Sequence, residues 1–274
     1  MSWFERLGGV VRRIVPHSIE VSAIISTYRA ERFIEGCLKN LTEQTLFQSG
    51  QMEVIVIDSG SPEREGEIAR AYQRLFGAQI RYYRTAHETL YGSWNRAIRL
   101  ARGRYLTNAN TDDRRHPDGI RRQWDFLKKN PELSGCYGYQ RITEHPNLDF
   151  SEATEDLYFG WPEYSYSELQ HRCILGPQPM WVKELHRQYG FFDSKYRVVG
   201  DYDFWLRCGK TCFFGRVPEV LGLYYRNPGG LEHSSPELVQ ETIDVRRRHG
   251  ILELSQKGTD PVGMDGLEMA ASED

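Results

Sequence analysis

Two adjacent carboxylates that follow an apolar run carry the strongest chemical signal in this chain. The segment Asn108-Ala109-Asn110-Thr111-Asp112-Asp113 comes directly after the stretch Arg104–Thr107. Oxygen donors grouped in this way suit a hard divalent cation such as Mg²⁺ or Mn²⁺, which binds through one or two carboxylates and completes its shell with phosphate oxygens. A second acidic strand end, Val54-Ile55-Val56-Ile57-Asp58-Ser59-Gly60-Ser61, lies upstream. A third cluster, Gly200-Asp201-Tyr202-Asp203, lies downstream. Open α/β sheets bind ligands outside the carboxyl ends of their strands. Carboxylates at these positions therefore point to a site for a nucleotide and a metal.

The elements that must position these residues can be read from the hydrophobic pattern. Val21–Ser26 and Glu53–Asp58 are short, β-branched and apolar on both faces, as buried parallel strands are. Gln79–Arg84 and Arg104–Ala109 predict two further strands. Between them, helical spacing runs over Ala30–Leu46, Pro62–Phe76 and Tyr91–Ala101, with another helix over His116–Lys129. This alternation predicts an α/β fold with a mostly parallel sheet of right-handed βαβ units flanked by helices. Residues 19–140 form its nucleotide-binding half. Residues 141–250 are read as the acceptor and catalytic half: a long aromatic loop over 143–172, helices over Met180–Tyr189 and Asp201–Lys210, paired strands Cys212–Arg216 and Val220–Arg226, and a last helix Pro236–His249.

The ends of the chain read differently. Trp3, Phe4, Leu7, Val10, Val11 and Ile14 recur at helical spacing with Arg6, Arg12 and Arg13 between them. Residues 1–18 thus predict an amphipathic basic helix, which would either lie on an anionic membrane surface or dock on the body of the protein. Residues 251–274 are small, polar and mostly acidic, and read as a disordered tail.

Composition sets the outer bounds. The 274 residues carry a net charge of −3, which argues against a nucleic-acid binder. The five cysteines are scattered without metal-ligand spacing and read as reduced thiols of a cytoplasmic protein. A signal peptide and a membrane-spanning run are not expected, so peripheral contact at the inner face is the membrane association considered.

In order, Val21–Arg29, Asp58-Ser59-Gly60-Ser61, Gly92-Ser93-Trp94-Asn95-Arg96-Ala97, Ala101–Tyr105, Asn110-Thr111-Asp112-Asp113 with Pro117-Asp118, and Gly200–Arg207 resemble the family 2 inverting glycosyltransferases of GT-A fold. The similarity covers roughly residues 20–230. It implies transfer of a sugar from a nucleotide-diphosphate sugar, UDP favoured by family prevalence, to a glycan or glycolipid acceptor hydroxyl, with Mn²⁺ or Mg²⁺ as cofactor. The chain departs from the family at Ser26 (commonly Pro), Arg29 (Asn), Asn110 (Asp) and Gly200 (Glu). The Gln-x-x-Arg-Trp element of processive synthases is absent.

Roles follow for individual residues. Asp112 is expected to hold the metal, with Asp113 beside it and His233 reaching in from a C-terminal loop. Asn110 can hydrogen-bond a ribose or a metal-bound water. Asp58 can accept from ribose hydroxyls or a base N–H, with Thr27 and Tyr28 bordering the base. Trp94 and Asn95, in the first turns of a helix, face diphosphate or sugar unless Trp94 is core filler. Arg226 can pair with phosphate. The resemblance makes Asp201 the general base. Two other readings compete, a nucleotidyltransferase and a non-catalytic nucleotide-sugar-binding scaffold. The first should have a Gly-rich loop after the first strand, where this chain has Ser26-Thr27-Tyr28-Arg29-Ala30.

Overall fold

A computed structural model describes residues 18–154, 156–251 and 268–270. Its chain order begins β1 (Val21–Thr27), α1 (Glu31–Thr42), α2 (Thr45–Gln48), β2 (Met52–Asp58), α3 (Glu65–Phe76), β3 (Ile80–Arg84), α4 (Leu90–Leu100), β4 (Tyr105–Asn108), β5 (Arg114–Arg115) and α5 (Gly119–Lys129). It continues with β6 (Gly135–Thr143), β7 (Leu157–Phe159), α6 (Tyr166–His171), β8 (Met180–Val182), α7 (Leu185–Tyr189), α8 (Gly200–Gly209), β9 (Phe214–Tyr225), α9 (Leu231–Ser234), α10 (Leu238–Arg248) and β10 (Glu268–Ala270).

One ten-stranded sheet runs through both halves, in the order β10-β7-β6-β8-β4-β1-β2-β3, with β9 joined to β6 and β5 to β9. Strands β4, β1, β2 and β3 are mutually parallel, as the βαβ reading predicts. Alternation along each strand serves both faces. Ala23, Ile25, Val54 and Val56 join Ile34, Leu38 and Ala69 in one core. Ile24, Ile55 and Ile57 join Trp94, Ala97, Ile98 and the aromatic residues of α8 in the other. Each buried Val, Leu or Ile among them contributes about 1.5–3 kcal/mol by leaving water.

The second half corrects several expectations. Met180–Val182 is a strand, antiparallel to both β4 and β6, because its apolar side chains fill the sheet between them. A helical run begins only at Leu185. Cys212–Arg216 and Val220–Arg226 do not pair with each other. They belong to one strand, β9, which runs parallel to the unanticipated β6 and absorbs its irregular middle, around Pro218, in a register shift. The stretch 143–172 contains β7 and α6. The long first helix breaks at Gln44, whose extended backbone separates α1 from α2 while its buried amide donates to the His116 carbonyl.

The amphipathic segment at Ser2–Val15 lies outside the described residues, as does most of the expected tail. Within that tail Glu268–Ala270 pairs antiparallel with β7. No helix among the described residues is long and apolar enough to cross a membrane.

Candidate functional site

A cleft of about 920 Å³ opens where β1, β2 and β4 end. Ser26 and Tyr28 reach it from β1, Ser59 from β2, and Asn110 and Asp112 from β4. Asp201 lines it from the start of α8, and His233 from α9. The two aspartates singled out from distant parts of the sequence therefore face one space.

The acidic turn is rigidly held. Asp112 Oδ2 accepts from Asn227 Nδ2 at 2.7 Å. Its Oδ1 carries no described hydrogen bond. Asp113 turns inward: Oδ1 accepts from the Tyr225 backbone N–H at 3.1 Å and Oδ2 from Asn110 Nδ2 at 3.0 Å. Burial, and then the neighbouring Asp112, push its carboxyl well above the usual range. Asp113 thus clamps the turn to β9, and it borders the cleft beside Asp112. Arg115 is also buried and donates to Thr107 Oγ1 and the Asn108 carbonyl, each at 2.7 Å, which fixes the strand end beneath the turn.

His233 supplies a nitrogen to the same cleft. Tyr224 Oη lies 2.9 Å from Glu232 Oε2, to which it donates, and 3.0 Å from His233 Nε2. With the tyrosine proton on Glu232, Nε2 carries the imidazole hydrogen and Nδ1 keeps its lone pair. Partial burial and Arg226 lower the imidazole pKa, favouring the neutral form that binds metals. Asp112 and His233 thus fit a divalent cation chemically. Among the described residues no group of three or more His, Cys, Asp or Glu could hold a metal unaided. Such a partial set is the kind that substrate phosphates complete.

Asp201 sits at the first turn of α8. Its Oδ1 lies 2.9 Å from both the Tyr91 hydroxyl and the Tyr202 backbone N–H, which donate to it. No described group hydrogen-bonds Oδ2. Burial raises its pKa, partly offset by the Tyr91 bond. A carboxylate so raised is a better proton acceptor near neutral pH. Asp203, two residues on, points away into an ionic cluster: Arg207 Nε at 3.0 Å, His249 Nε2 at 3.0 Å and Arg248 Nη1 at 3.3 Å.

Several expected residues are placed elsewhere. Thr27 and Asp58 are opposite each other in the β1–β2 register, both buried and both outside the cleft lining. Asp58 is consumed by Ser61 N–H, Tyr82 Oη and Arg84 Nη1. Asn95 braces the Phe192 backbone with its amide, donating at 2.8 Å and accepting at 3.0 Å. Arg226 is not among the lining residues, and its guanidinium lies 3.6 Å from Glu144. Trp94 packs edge-on against Tyr91 and Phe192 and also lines the cleft.

Ser26, Ser59, His87, Tyr91 and Asn227 were not anticipated from the sequence, and each borders the cleft. Tyr28 is exposed, with its ring centroid 4.3 Å from that of His87. Strand parity could have found the first two, since neighbours on a strand face opposite ways. Arg29 adopts φ 50°, the left-handed region that Asn enters more readily, which accounts for the Asn common in the resembling family.

Comparison with known proteins bears on family and fold. EpsJ of Bacillus subtilis (strain 168), an uncharacterized glycosyltransferase, is 33% identical over 125 residues, 45% of this chain and 35% of EpsJ. The chain thus spans about a third of that relative's length. A PGL/p-HBAD biosynthesis glycosyltransferase of Mycobacterium bovis is 25% identical over 217 residues, covering 78% of this chain and 79% of that protein. In fold, S. aureus TarS 1-349 in complex with UDP-GlcNAc superposes with TM-score 0.67 at 15% identity, covering 85% of this chain and 66% of that one. The mannosyltransferase PcManGT of Pyrobaculum calidifontis, in complex with GDP-Man and Mn²⁺, gives 0.61 at 16% identity over 94% of this chain and 71% of its own. Both share the GT-A fold expected from the sequence. The sequence model described as Glycosyl transferase family 2 matches residues 22–176, more than half of the chain, and the protein belongs to that family.

Proposed function

We propose that the protein transfers a sugar from a nucleotide-diphosphate sugar to an acceptor hydroxyl, with inversion at the anomeric carbon. The observation that carries this reading is the convergence of Asp112 and Asp201 on one cleft. Tyr28 offers an aromatic face for the base, and Ser26 and Ser59 border the same end. Asp112 and His233 would hold Mn²⁺ or Mg²⁺, which when bound neutralises charge on the departing diphosphate.

Asp201 takes the proton of the incoming hydroxyl on Oδ2. The hydroxyl oxygen bonds to the anomeric carbon as the bond from that carbon to phosphate oxygen breaks, and the electron pair leaves with the diphosphate. Attack opposite the leaving group inverts the centre, as in inverting hydrolases. An α-linked donor would give a β-linked product. UDP is the favoured nucleotide by family prevalence. A glycan or glycolipid is the acceptor class, and peripheral membrane contact through residues 2–15 would bring the enzyme to a lipid-borne one.

Thermal melting with UDP-, GDP- and dTDP-sugars, each with and without Mn²⁺, tests the donor assignment. A ligand that binds the folded state raises the melting temperature. The expected result is a metal-dependent rise with at least one donor, UDP-sugars foremost. A complete set of donors that leaves the melt unchanged in both conditions overturns the reading.

A further inference from the structure

Gly200 stands where the resembling family commonly has Glu, immediately before Asp201. The structure shows what occupies the space. A Cβ built on Gly200 would lie 2.6 Å from Tyr91 Cδ2 and 2.7 Å from Cε2, closer than real side chains approach. The Tyr91 ring is buried and fixed, edge-on to Trp94 with centroids 5.5 Å apart and 5.7 Å from Phe192. Its hydroxyl lies between the Val198 carbonyl and Asp201 Oδ1.

From this we infer that Tyr91 is the positioning residue of the base: it replaces the missing neighbour of Asp201, holds Oδ1, and leaves Oδ2 turned to the acceptor. The inference rests on the role proposed above for Asp201. The hydroxyl has one proton and two acceptors. An ionised carboxylate is the stronger of them, so the proton goes to Asp201 while it is charged. Once Asp201 is protonated that preference is lost, and the tyrosine proton can turn to Val198. Tyr91 thus favours the charged, receptive state of Asp201 without touching substrate. Gly200 and Tyr91 form one unit, because a side chain at position 200 would expel the ring that carries the hydroxyl.

The test reads the Asp201 carboxyl directly by ¹³C NMR titration of aspartate-labelled protein, with Asp201→Asn identifying the resonance. Other titratable groups near it are Cys173, across the cleft, and Glu241 of α10, which accepts from the Val198 and Val199 N–H groups. In Tyr91→Phe the ring still fills the space beside Gly200 and the hydroxyl is lost. Its Asp201 midpoint should rise by about one pH unit, the size expected when a hydrogen bond to a charged group is removed. Incorporation of 2,3-difluorotyrosine at position 91 keeps shape and donor while strengthening the donor, so the midpoint should fall. This arm keeps the test decisive if Tyr91→Phe does not fold. A midpoint unmoved by either change overturns the inference. Turnover of UDP-GlcNAc to UDP separates this failure from failure of the underlying reading. If Asp201→Asn turns over at the wild-type rate, Asp201 is not the base. If Asp201→Asn is inert while the Tyr91 titrations stay flat, Asp201 keeps its role and Tyr91 loses its own.

Discussion

Asp112 and Asp113, after β4, and Asp201 and Asp203, at the start of α8, each pair a cleft-lining carboxylate with a buried one turned inward, although Asp113, unlike Asp203, still borders the cleft. The inward members live in opposite electrostatic surroundings. Asp203 meets Arg207, Arg248 and His249, and this company holds its carboxyl below the usual range despite burial. Asp113 meets two neutral N–H donors and a second carboxylate, and is driven up. Among the described residues neither Asp112 nor Asp113 forms a salt bridge. Asp203 is therefore neutralised by the protein itself, whereas Asp112 faces the cleft without an ion-pair partner among the described residues, which suits the cation proposed for it.

Substitutions at these pairs should separate chemistry from scaffolding. The largest effect is expected for Asp201→Asn: initial-rate assays should show turnover down on the order of 10³-fold. Calorimetric donor affinity should stay within about twofold, because the amide keeps the shape. A retained rate would remove Asp201 from the chemistry. Next, Asp112→Ala should weaken Mn²⁺-dependent donor binding on the order of 100-fold, equivalent to about 2.8 kcal/mol. Calorimetry that finds equal affinity in both proteins would dismiss the metal role.

Asp203→Asn should act on stability instead, costing about 1–2 kcal/mol in urea unfolding, because it takes a charged hydrogen-bond partner from Arg207, Arg248 and His249. Its pH signature follows from the sign of the shift. A carboxyl whose folded pKa is depressed gives stability that is complete above its unfolded value near 3.8 and lost as the pH falls through the folded value. The wild type should lose this contribution on acidification, and Asp203→Asn should lack that part of the slope. Parallel stability curves for the two proteins would contradict the ionic account. Smallest of all, Thr27→Val should leave donor affinity unchanged and alter stability by no more than about 1 kcal/mol, since Thr27 Oγ1 is buried without a partner. A marked loss of donor binding would return Thr27 to the site.

What was legible in the sequence divides along the same line. The first four strands and their helices declare themselves because both faces of each strand are buried and turn residues punctuate them. Asp112 and Asp201 were legible because each closes or opens an element with a clear period. Parity was harder to read. Thr27 and Asp58 look like site residues at strand ends, yet the register puts both behind the sheet edge, and their neighbours Ser26, Tyr28 and Ser59 line the cleft. The roles of Asn95 and Arg226 depend on partners about a hundred and about eighty residues away in sequence, Phe192 and Glu144, which no local pattern encodes. In the second half, tertiary context overrode local preference. Met180–Val182 carries on the apolar spacing of the helix that follows it, and pairing with β4 and β6 makes it a strand.

Asn227 occupies one oxygen of Asp112, and two residues later comes Gly229-Gly230, the link to the short helix carrying His233. Any guest that grips Asp112 through both oxygens must share one of them with that amide. Loading the acidic turn would then be felt at the histidine arm through Asn227, so the arm's posture would report whether the turn is filled.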